Sequence, residues 1–203
     1  MVSVRITDIR HKKLTEGKTG ITNANEMFLF VHGKKGLVRE IGVSNFGVGQ
    51  MQLVKDMGID ICVNELAYNL IHRGAELAVF PYTENNNIGI TAYMPLMQGI
   101  LSGKYDTIEE IPVVRRRTLH FDSRKNDQIR HGGPGMEDAL ETFLADLKAV
   151  SKESGISCST LCISWILSHS AVSTVLAGCR TTAQLPLFCS SLCAANRKTA
   201  RST

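Results

Sequence analysis

Two small polar residues, Ser44 and Asn45, are the first candidates for chemistry because they directly follow a short apolar run. The run contains Val38, Ile41 and Val43 and is too brief for a helix. It therefore predicts a buried strand with the two polar residues at its carboxyl end. Ligands are held at that end in α/β sheets and barrels, so a hydroxyl and an amide placed there are candidate ligand contacts. The alternative is that they only cap the helix that follows.

The elements that must position these residues alternate regularly from residue 37 onward. Further short apolar strands are predicted over 60–64, 88–93 and 172–177. Helices are predicted over 50–57, 75–87, 137–154 and 157–168. Pro81 is expected to breach the second of these helices at about its second turn. Strands and helices alternating at this spacing indicate parallel strands joined by right-handed crossovers, and hence the α/β class.

Composition places the chain among globular proteins of one ordinary domain. It has 203 residues, of which 43% are apolar and 21% charged, and no run approaches the roughly 20 apolar residues that a membrane span needs. The amino terminus carries Arg5 and Asp8 where a secretory signal would be apolar. We therefore expect a cytoplasmic protein without membrane contact.

The charged ends and the cysteines suggest neither nucleic-acid binding nor a metal. The net charge of +4 comes largely from basic clusters at the two termini, which lack the interleaved aromatics of a nucleic-acid surface. Four of the six cysteines form pairs spaced four apart, namely Cys158 with Cys162 and Cys189 with Cys193. Neither pair has the close cysteines or histidines of a zinc module, which predicts reduced thiols and no metal site.

Several stretches resemble motifs of one known family. Residues 36–46, which read GLVREIGVSNF, strongly resemble the fifth-strand motif of aldo-keto reductases, and 95–105, 130–137 and 176–184 resemble later motifs in family order. The resemblance covers about 36–185. It implies an incomplete (β/α)8 TIM barrel, roughly its last four β/α units, in an NADP(H)-dependent oxidoreductase whose small-molecule substrate is a carbonyl compound or an alcohol.

The resemblance also implies which residues bind the coenzyme. Ser44 and Asn45 would hydrogen-bond the carboxamide of NADP(H), and Tyr93 would stack on its nicotinamide ring. Glu65 stands where the family usually has glutamine, so it could accept a hydrogen bond from the carboxamide but not donate one. The pyrophosphate loop would contribute Pro95, Leu96, Gly99, Leu101, Ser102, Gly103 and Lys104. The adenosine end would be held by Gly178, Cys179, Arg180 and Gln184. Arg180 favours NADP over NAD because its guanidinium can pair with the 2′-phosphate that NADP carries.

The catalytic tetrad of the family has no recognisable counterpart. The family uses a tyrosine, a lysine, an aspartate and a histidine on its first four strands. Here no tyrosine precedes Tyr68, and Asp8 is the only aspartate ahead of Ser44. His32 could stand in for the histidine and Tyr68 for the acid, but neither substitution is favoured. We therefore assign no catalytic residue and expect this chain to be inactive.

Three segments are expected. Residues 1–35 form an irregular segment, in which 27–31 is either a strand ending at His32 or, by analogy with the family, a helix ending in Lys34, Lys35 and Gly36. Residues 36–185 form the partial barrel, and 186–203 form a divergent basic tail. Both ends look like altered junctions, as in a truncated or mis-spliced gene.

Two further interpretations are kept open. The chain could be a non-catalytic interaction module or subunit, which pairs or self-associates through the open edges of its first and last strands unless Val2 to Ile9 or a second copy covers them. It could also fail to fold stably on its own.

Overall fold

The computed structural model describes residues 5–7, 40–125, 129, 132–179 and 181–184. The strands are β1 (Arg5–Thr7), β2 (Gly42–Ser44), β3 (Val63–Ala67), β4 (Gly89–Tyr93) and β5 (Val172–Val175). The α-helices are α1 (Val48–Asp56), α2 (Val79–Asn85), α3 (Glu137–Ser154) and α4 (Cys158–Leu167). Short 3-10 helices cover Gly74–Leu77, Met97–Ser102, Val113–Arg115 and Thr182–Gln184.

The five strands form one sheet, and every described pair is parallel. Their order follows the chain from β1 to β5, and β1 pairs with β2 so that Ile6 lies opposite Val43. The α/β class with a parallel sheet is therefore confirmed. The strand at Arg5–Thr7 shows that the amino-terminal segment does cover the edge of β2, as one alternative held. The incomplete (β/α)8 barrel and the segment boundaries at 35 and 185 stay predictions.

The chain divides into two compact units, which we describe separately. The sheet unit contains the described residues up to Tyr93 together with His169–Leu176. The loop-helix unit contains Met94–Ser168 and the described residues from Ala177 onward. The segment 27–31, predicted as a helix or strand, lies outside the described residues, as does His32.

The core of the sheet unit explains one wrong strand prediction. Ile59 and Ile61 are buried beside Met51 and Val54 of α1 in one hydrophobic cluster, but β3 begins only at Val63. The apolar residues of 60–64 therefore belong mainly to a buried loop that packs against α1, and the strand lies three residues later than predicted.

The predicted helix over 75–87 is interrupted, but not at proline. Its first part is the 3-10 helix Gly74–Leu77, and α2 begins only after Ala78, whose φ of −140° is not helical. Pro81 lies in the first turn of α2, where the missing N–H removes no helical hydrogen bond. The predicted helix is therefore interrupted as expected, but the break lies at Ala78, three residues before Pro81.

The two helices of the loop-helix unit confirm the predictions over 137–154 and 157–168. Helix α3 buries Leu140, Leu144 and Leu147 along one face. Helix α4 starts after Ser157, whose hydroxyl accepts a hydrogen bond from the Thr160 N–H at 3.2 Å, a common N-cap arrangement. None of the helices in the described ranges combines the length and apolar character needed to cross a bilayer.

Helix α1 offers a matched test of this core. Met51 is 0% exposed and Leu53 is 39% exposed. We expect Met51→Ala to lower the free energy of unfolding by about 2–5 kcal/mol, because it leaves a cavity in the hydrophobic cluster. Leu53→Ala should cost less than about 1 kcal/mol. Urea unfolding followed by circular dichroism measures both, and equal losses would contradict the assigned orientation of α1.

Candidate functional site

The carboxyl edge of β2, β3 and β4 brings three of the predicted coenzyme contacts together in the sheet unit. The register places Ser44 opposite Glu65 and Tyr93 opposite Ala67. The Asn45 N–H donates to the Glu65 carbonyl oxygen at 2.8 Å, which extends the pairing beyond the end of β2. The main chain of β3 therefore fixes where the side chains of both neighbouring strands emerge.

Ser44, Asn45 and Tyr93 form a hydrogen-bonded chain at this edge. The Tyr93 hydroxyl donates to Asn45 Oδ1 at 2.9 Å, and Asn45 Nδ2 donates to Ser44 Oγ at 3.2 Å. Ser44 is buried, whereas Asn45 is exposed and has a φ of 59°, a left-handed conformation that asparagine tolerates better than most residues. The structure thus presents an exposed side-chain amide between two hydroxyl groups.

The helix that follows is not capped by these residues. Its N-cap is Gly47, where no side-chain cap hydrogen bond is formed. Instead, the Gly47 N–H donates to Gln50 Oε1 at 2.9 Å. The alternative that Ser44 and Asn45 serve only as helix caps is therefore not what the structure shows, and both side chains remain candidate ligand contacts.

Asn64 and Glu65 contribute to this edge in different ways. Asn64 is 0% exposed, and its side chain both donates to the Phe46 carbonyl oxygen at 2.9 Å and accepts from the Phe46 N–H at 3.3 Å. It therefore fixes the chain immediately after Asn45, a role that the sequence did not indicate. Glu65 is half-buried on β3, and its predicted carboxamide contact stays a prediction.

Tyr68, the sequence candidate for a substitute acid, is a buried structural anchor. Its hydroxyl donates to Glu76 Oε1 at 2.6 Å, and Glu76 also accepts two hydrogen bonds from Arg73, at 2.8 and 2.9 Å. Burial raises the pKa of Tyr68 well above its usual range, and its bond to Glu76 raises it further. A phenol held this way is a poor proton donor to a substrate near neutral pH.

In the loop-helix unit, two cationic side chains approach one glycine of the predicted pyrophosphate loop, namely Lys104 of the loop itself and Arg115 from the segment that follows it. Gly99 has a φ of +88°, and a Cβ placed on it would lie 3.4 Å from both Lys104 Nζ and Arg115 Nη1. Arg115 Nη1 donates to the Gln98 carbonyl oxygen at 3.1 Å and to the Tyr105 hydroxyl at 2.9 Å. This leaves the other guanidinium N–H groups without partners among the described residues.

Sequence reasoning missed Arg115, although one signal was present. It belongs to the run of three arginines at 115–117, which lies outside the motifs that carry the family resemblance. The Gly99 N–H already donates to the Leu96 carbonyl oxygen at 2.8 Å. The candidate anion contacts at this loop are therefore the two side-chain cations rather than that N–H.

The other predicted contacts to the phosphates and to adenosine differ in their packing and burial. A Cβ on Gly103 would lie 2.7 Å from Cys158 Sγ, so packing alone accounts for that glycine. Ser102 Oγ donates to the Gly99 carbonyl oxygen at 2.7 Å. Arg180 lies outside the described residues. Of the remaining residues, Pro95 and Leu101 are buried, Leu96 and Gln184 are half-buried, and Gly178 and Cys179 are exposed.

No metal centre is found among the residues that the structure describes. They contain no group of three or more histidine, cysteine, aspartate or glutamate side chains able to hold an ion. Cys158 and Cys162 are free buried thiols, and burial raises the pKa of Cys162 to about 12, which disfavours the thiolate that metals bind. Cys189 and Cys193 lie outside the described residues.

The anchor around Glu76 predicts a dependence of stability on pH. Hydrogen bonds from Arg73 are the main reason why the pKa of Glu76 falls from its ordinary value of 4.5 to about 2, with the Tyr68 bond adding to the effect. Because the pKa is lower in the folded chain, this carboxylate stabilises the fold above pH 4.5 and the gain is lost as the pH falls toward 2.

Wild type should therefore lose more stability than Glu76→Gln between about pH 5.5 and about pH 3. Urea unfolding at both pH values measures this, with Glu153→Gln on the exposed surface of α3 as the matched control. The same pH dependence in wild type and Glu76→Gln would show that the anchor contributes nothing.

Comparison with known proteins identifies the family. The sequence profile of the aldo/keto reductase family matches residues 27–191. L-glyceraldehyde 3-phosphate reductase from Escherichia coli strain K12 is 28% identical over 151 residues, which cover 71% of this chain and 42% of that protein. Aldo-keto reductase YhdN from Bacillus subtilis strain 168 is 29% identical over 150 residues, with coverages of 74% and 43%.

A third relative and a solved structure agree with this. A probable voltage-gated potassium channel subunit beta from Arabidopsis thaliana is 31% identical over 124 residues, covering 61% of this chain and 36% of that protein. Glycerol dehydrogenase AKR11B4 from Gluconobacter oxydans has a similar fold, with a TM-score of 0.61 at 23% identity, covering 84% of this chain and 52% of that one. This chain spans less than half the length of these curated relatives. Because the profile matches well over half of it, the chain belongs to the aldo-keto reductase family of oxidoreductases.

Proposed function

We propose that this chain is the coenzyme-binding part of an NADP(H)-dependent oxidoreductase that acts on carbonyl compounds or alcohols, and that it does not turn over substrate by itself. The observation that carries the proposal is the exposed amide of Asn45, held between Ser44 and Tyr93 at the carboxyl edge of the sheet. The relative named L-glyceraldehyde 3-phosphate reductase supports a substrate with an aldehyde group.

The residues of the sheet unit fit the nicotinamide end of the coenzyme. NADPH supplies a hydride when it is bound. The part of this chain is to hold the ring, and an amide and a hydroxyl offer both donors and acceptors to its carboxamide. The aromatic face of Tyr93 suits a flat ring.

The residues of the loop-helix unit fit a phosphate-bearing ligand. Lys104 and Arg115 both approach Gly99, so their two positive charges lie near one another and suit an anion. A guanidinium can pair with phosphate through two N–H groups, and Arg115 retains N–H groups without partners among the described residues. The family resemblance assigns Arg180 to the 2′-phosphate of the coenzyme, and the proposed preference for NADP over NAD rests on that assignment.

The lack of turnover rests on the sequence and on Tyr68. No tyrosine precedes Tyr68, and its hydroxyl is committed to Glu76. Tyr68 is therefore not available as the proton donor, and we expect no turnover without the tetrad of the family. We place the protein in the cytoplasm, as the sequence predicts.

A second candidate function is that of a non-catalytic subunit. One relative is named as a subunit of a potassium channel. In the described sheet, β5 ends the strand order and exposes Ser173 and Thr174, so a partner strand or a second copy could pair there. A stable complex on size exclusion without any thermal shift from NADPH would favour this function.

Binding tests the primary proposal. NADPH should raise the melting temperature of the full chain, because a ligand that binds only the folded state stabilises it. Arg115→Ala should weaken NADPH binding by roughly tenfold or more through loss of a charge-assisted contact. Lys152→Ala, an exposed cation on α3, is the matched control and should bind as wild type. Calorimetric titration measures all three proteins, and equal affinities for Arg115→Ala and wild type would remove Arg115 from the site.

Activity tests the second half of the proposal. The purified chain should not oxidise NADPH in the presence of an aromatic aldehyde, which is followed by the loss of coenzyme absorbance. Turnover that disappears in Tyr68→Phe would show that Tyr68 serves as the acid after all.

A further inference from the structure

We propose that the Tyr93 hydroxyl is a specificity-determining group, which holds the Asn45 amide so that it selects a coenzyme ring bearing a primary carboxamide over the same ring bearing a carboxylate. This inference rests on the proposed function and deepens it. It gives the Tyr93 hydroxyl a task distinct from the stacking expected of its ring.

The geometry begins with the reach of the tyrosine across a strand. Tyr93 ends β4 and Asn45 follows β2, so β3 lies between them. Since neighbouring strands are about 4.8 Å apart, the side chains bridge roughly 10 Å across the end of β3. The hydroxyl completes this bridge with a bond of 2.9 Å to Asn45 Oδ1.

The main chain around Asn45 has little freedom to move. Its N–H is bound to the Glu65 carbonyl oxygen at 2.8 Å. On the other side, the N–H and the carbonyl oxygen of Phe46 are both bound to the buried Asn64. Rotation of the side chain is therefore the main freedom that remains to Asn45, and the hydroxyls of Tyr93 and Ser44 restrain it from both ends of the amide.

The bonding capacity that remains matches a carboxamide. A side-chain amide can accept two hydrogen bonds at oxygen and donate two from nitrogen. One acceptor position is used by Tyr93 and one donor by Ser44, which leaves one of each. A primary carboxamide can donate to the remaining lone pair of Oδ1 and accept from the remaining N–H of Nδ2. A carboxylate can only accept, so its negative charge would face the lone pair of Oδ1.

Three ligands test this with the full chain: NADP+, its nicotinic acid analogue, and adenosine 2′,5′-bisphosphate, which lacks the ring. Wild type should bind NADP+ at least about tenfold more tightly than the nicotinic acid analogue. Tyr93→Phe keeps the aromatic ring, and it should reduce this ratio to below about threefold without changing affinity for the bisphosphate. Ser44→Ala should reduce the ratio in the same direction, and it carries the test if Tyr93→Phe does not fold.

The matched control is Tyr82→Phe in the same unit, which loses a hydroxyl that donates to Gln52 Oε1 at 3.0 Å. It should keep the wild-type ratio. An unchanged ratio in Tyr93→Phe would overturn the inference while leaving the proposed function supported by NADP+ binding. Binding of all three ligands weakened equally in Tyr93→Phe would show that the Tyr93 hydroxyl has only a structural role, and this would also overturn the inference. Failure of wild type to bind any of the three would overturn both the inference and the proposed function.

Discussion

The pairing of β3 with the strands on either side is the constraint on which the candidate site depends. It sets Ser44 opposite Glu65 and Tyr93 opposite Ala67. A shift of one residue in this register would turn each side chain of the strand to the other face of the sheet. The hydrogen bonds that hold the sheet together therefore also decide which polar groups meet at its carboxyl edge.

Two buried polar side chains protect this arrangement. Asn64 satisfies both of its polar atoms on the backbone of Phe46, and Tyr68 donates to a carboxylate that Arg73 holds. A buried polar group without partners would cost free energy, so each of these contacts favours one conformation of the chain around it. Rigid support of this kind suits a site that must hold a planar ring and its carboxamide in a defined position.

The sequence predicted those features that depend on local patterns. Helix α3 shows its apolar face through Leu140, Leu144 and Leu147, and Ser157 has a side chain suited to begin α4. The strand at 60–64 was misplaced because Ile59 and Ile61 are apolar for a different reason, namely their packing beneath α1. An apolar run alone does not distinguish a strand from a buried loop.

The contacts that define the candidate site are beyond local patterns. Tyr93 and Asn45 are 48 positions apart in the chain, and their bond follows only from the strand order and register. Arg115 approaches Gly99 through a long loop whose path has no periodicity to predict it. The family resemblance predicts Ser44, Asn45 and Tyr93 as coenzyme contacts, but it does not indicate that the three are bonded to one another.

We propose that this chain holds the nicotinamide end of NADP(H) at the carboxyl edge of β2 to β4 without a catalytic tetrad beside it. A crystal structure of the full chain with NADP+ is the decisive test. We expect the carboxamide within hydrogen-bonding distance of Asn45 and the ring against Tyr93. A coenzyme bound elsewhere, or a tyrosine, lysine and aspartate gathered next to its ring, would contradict it.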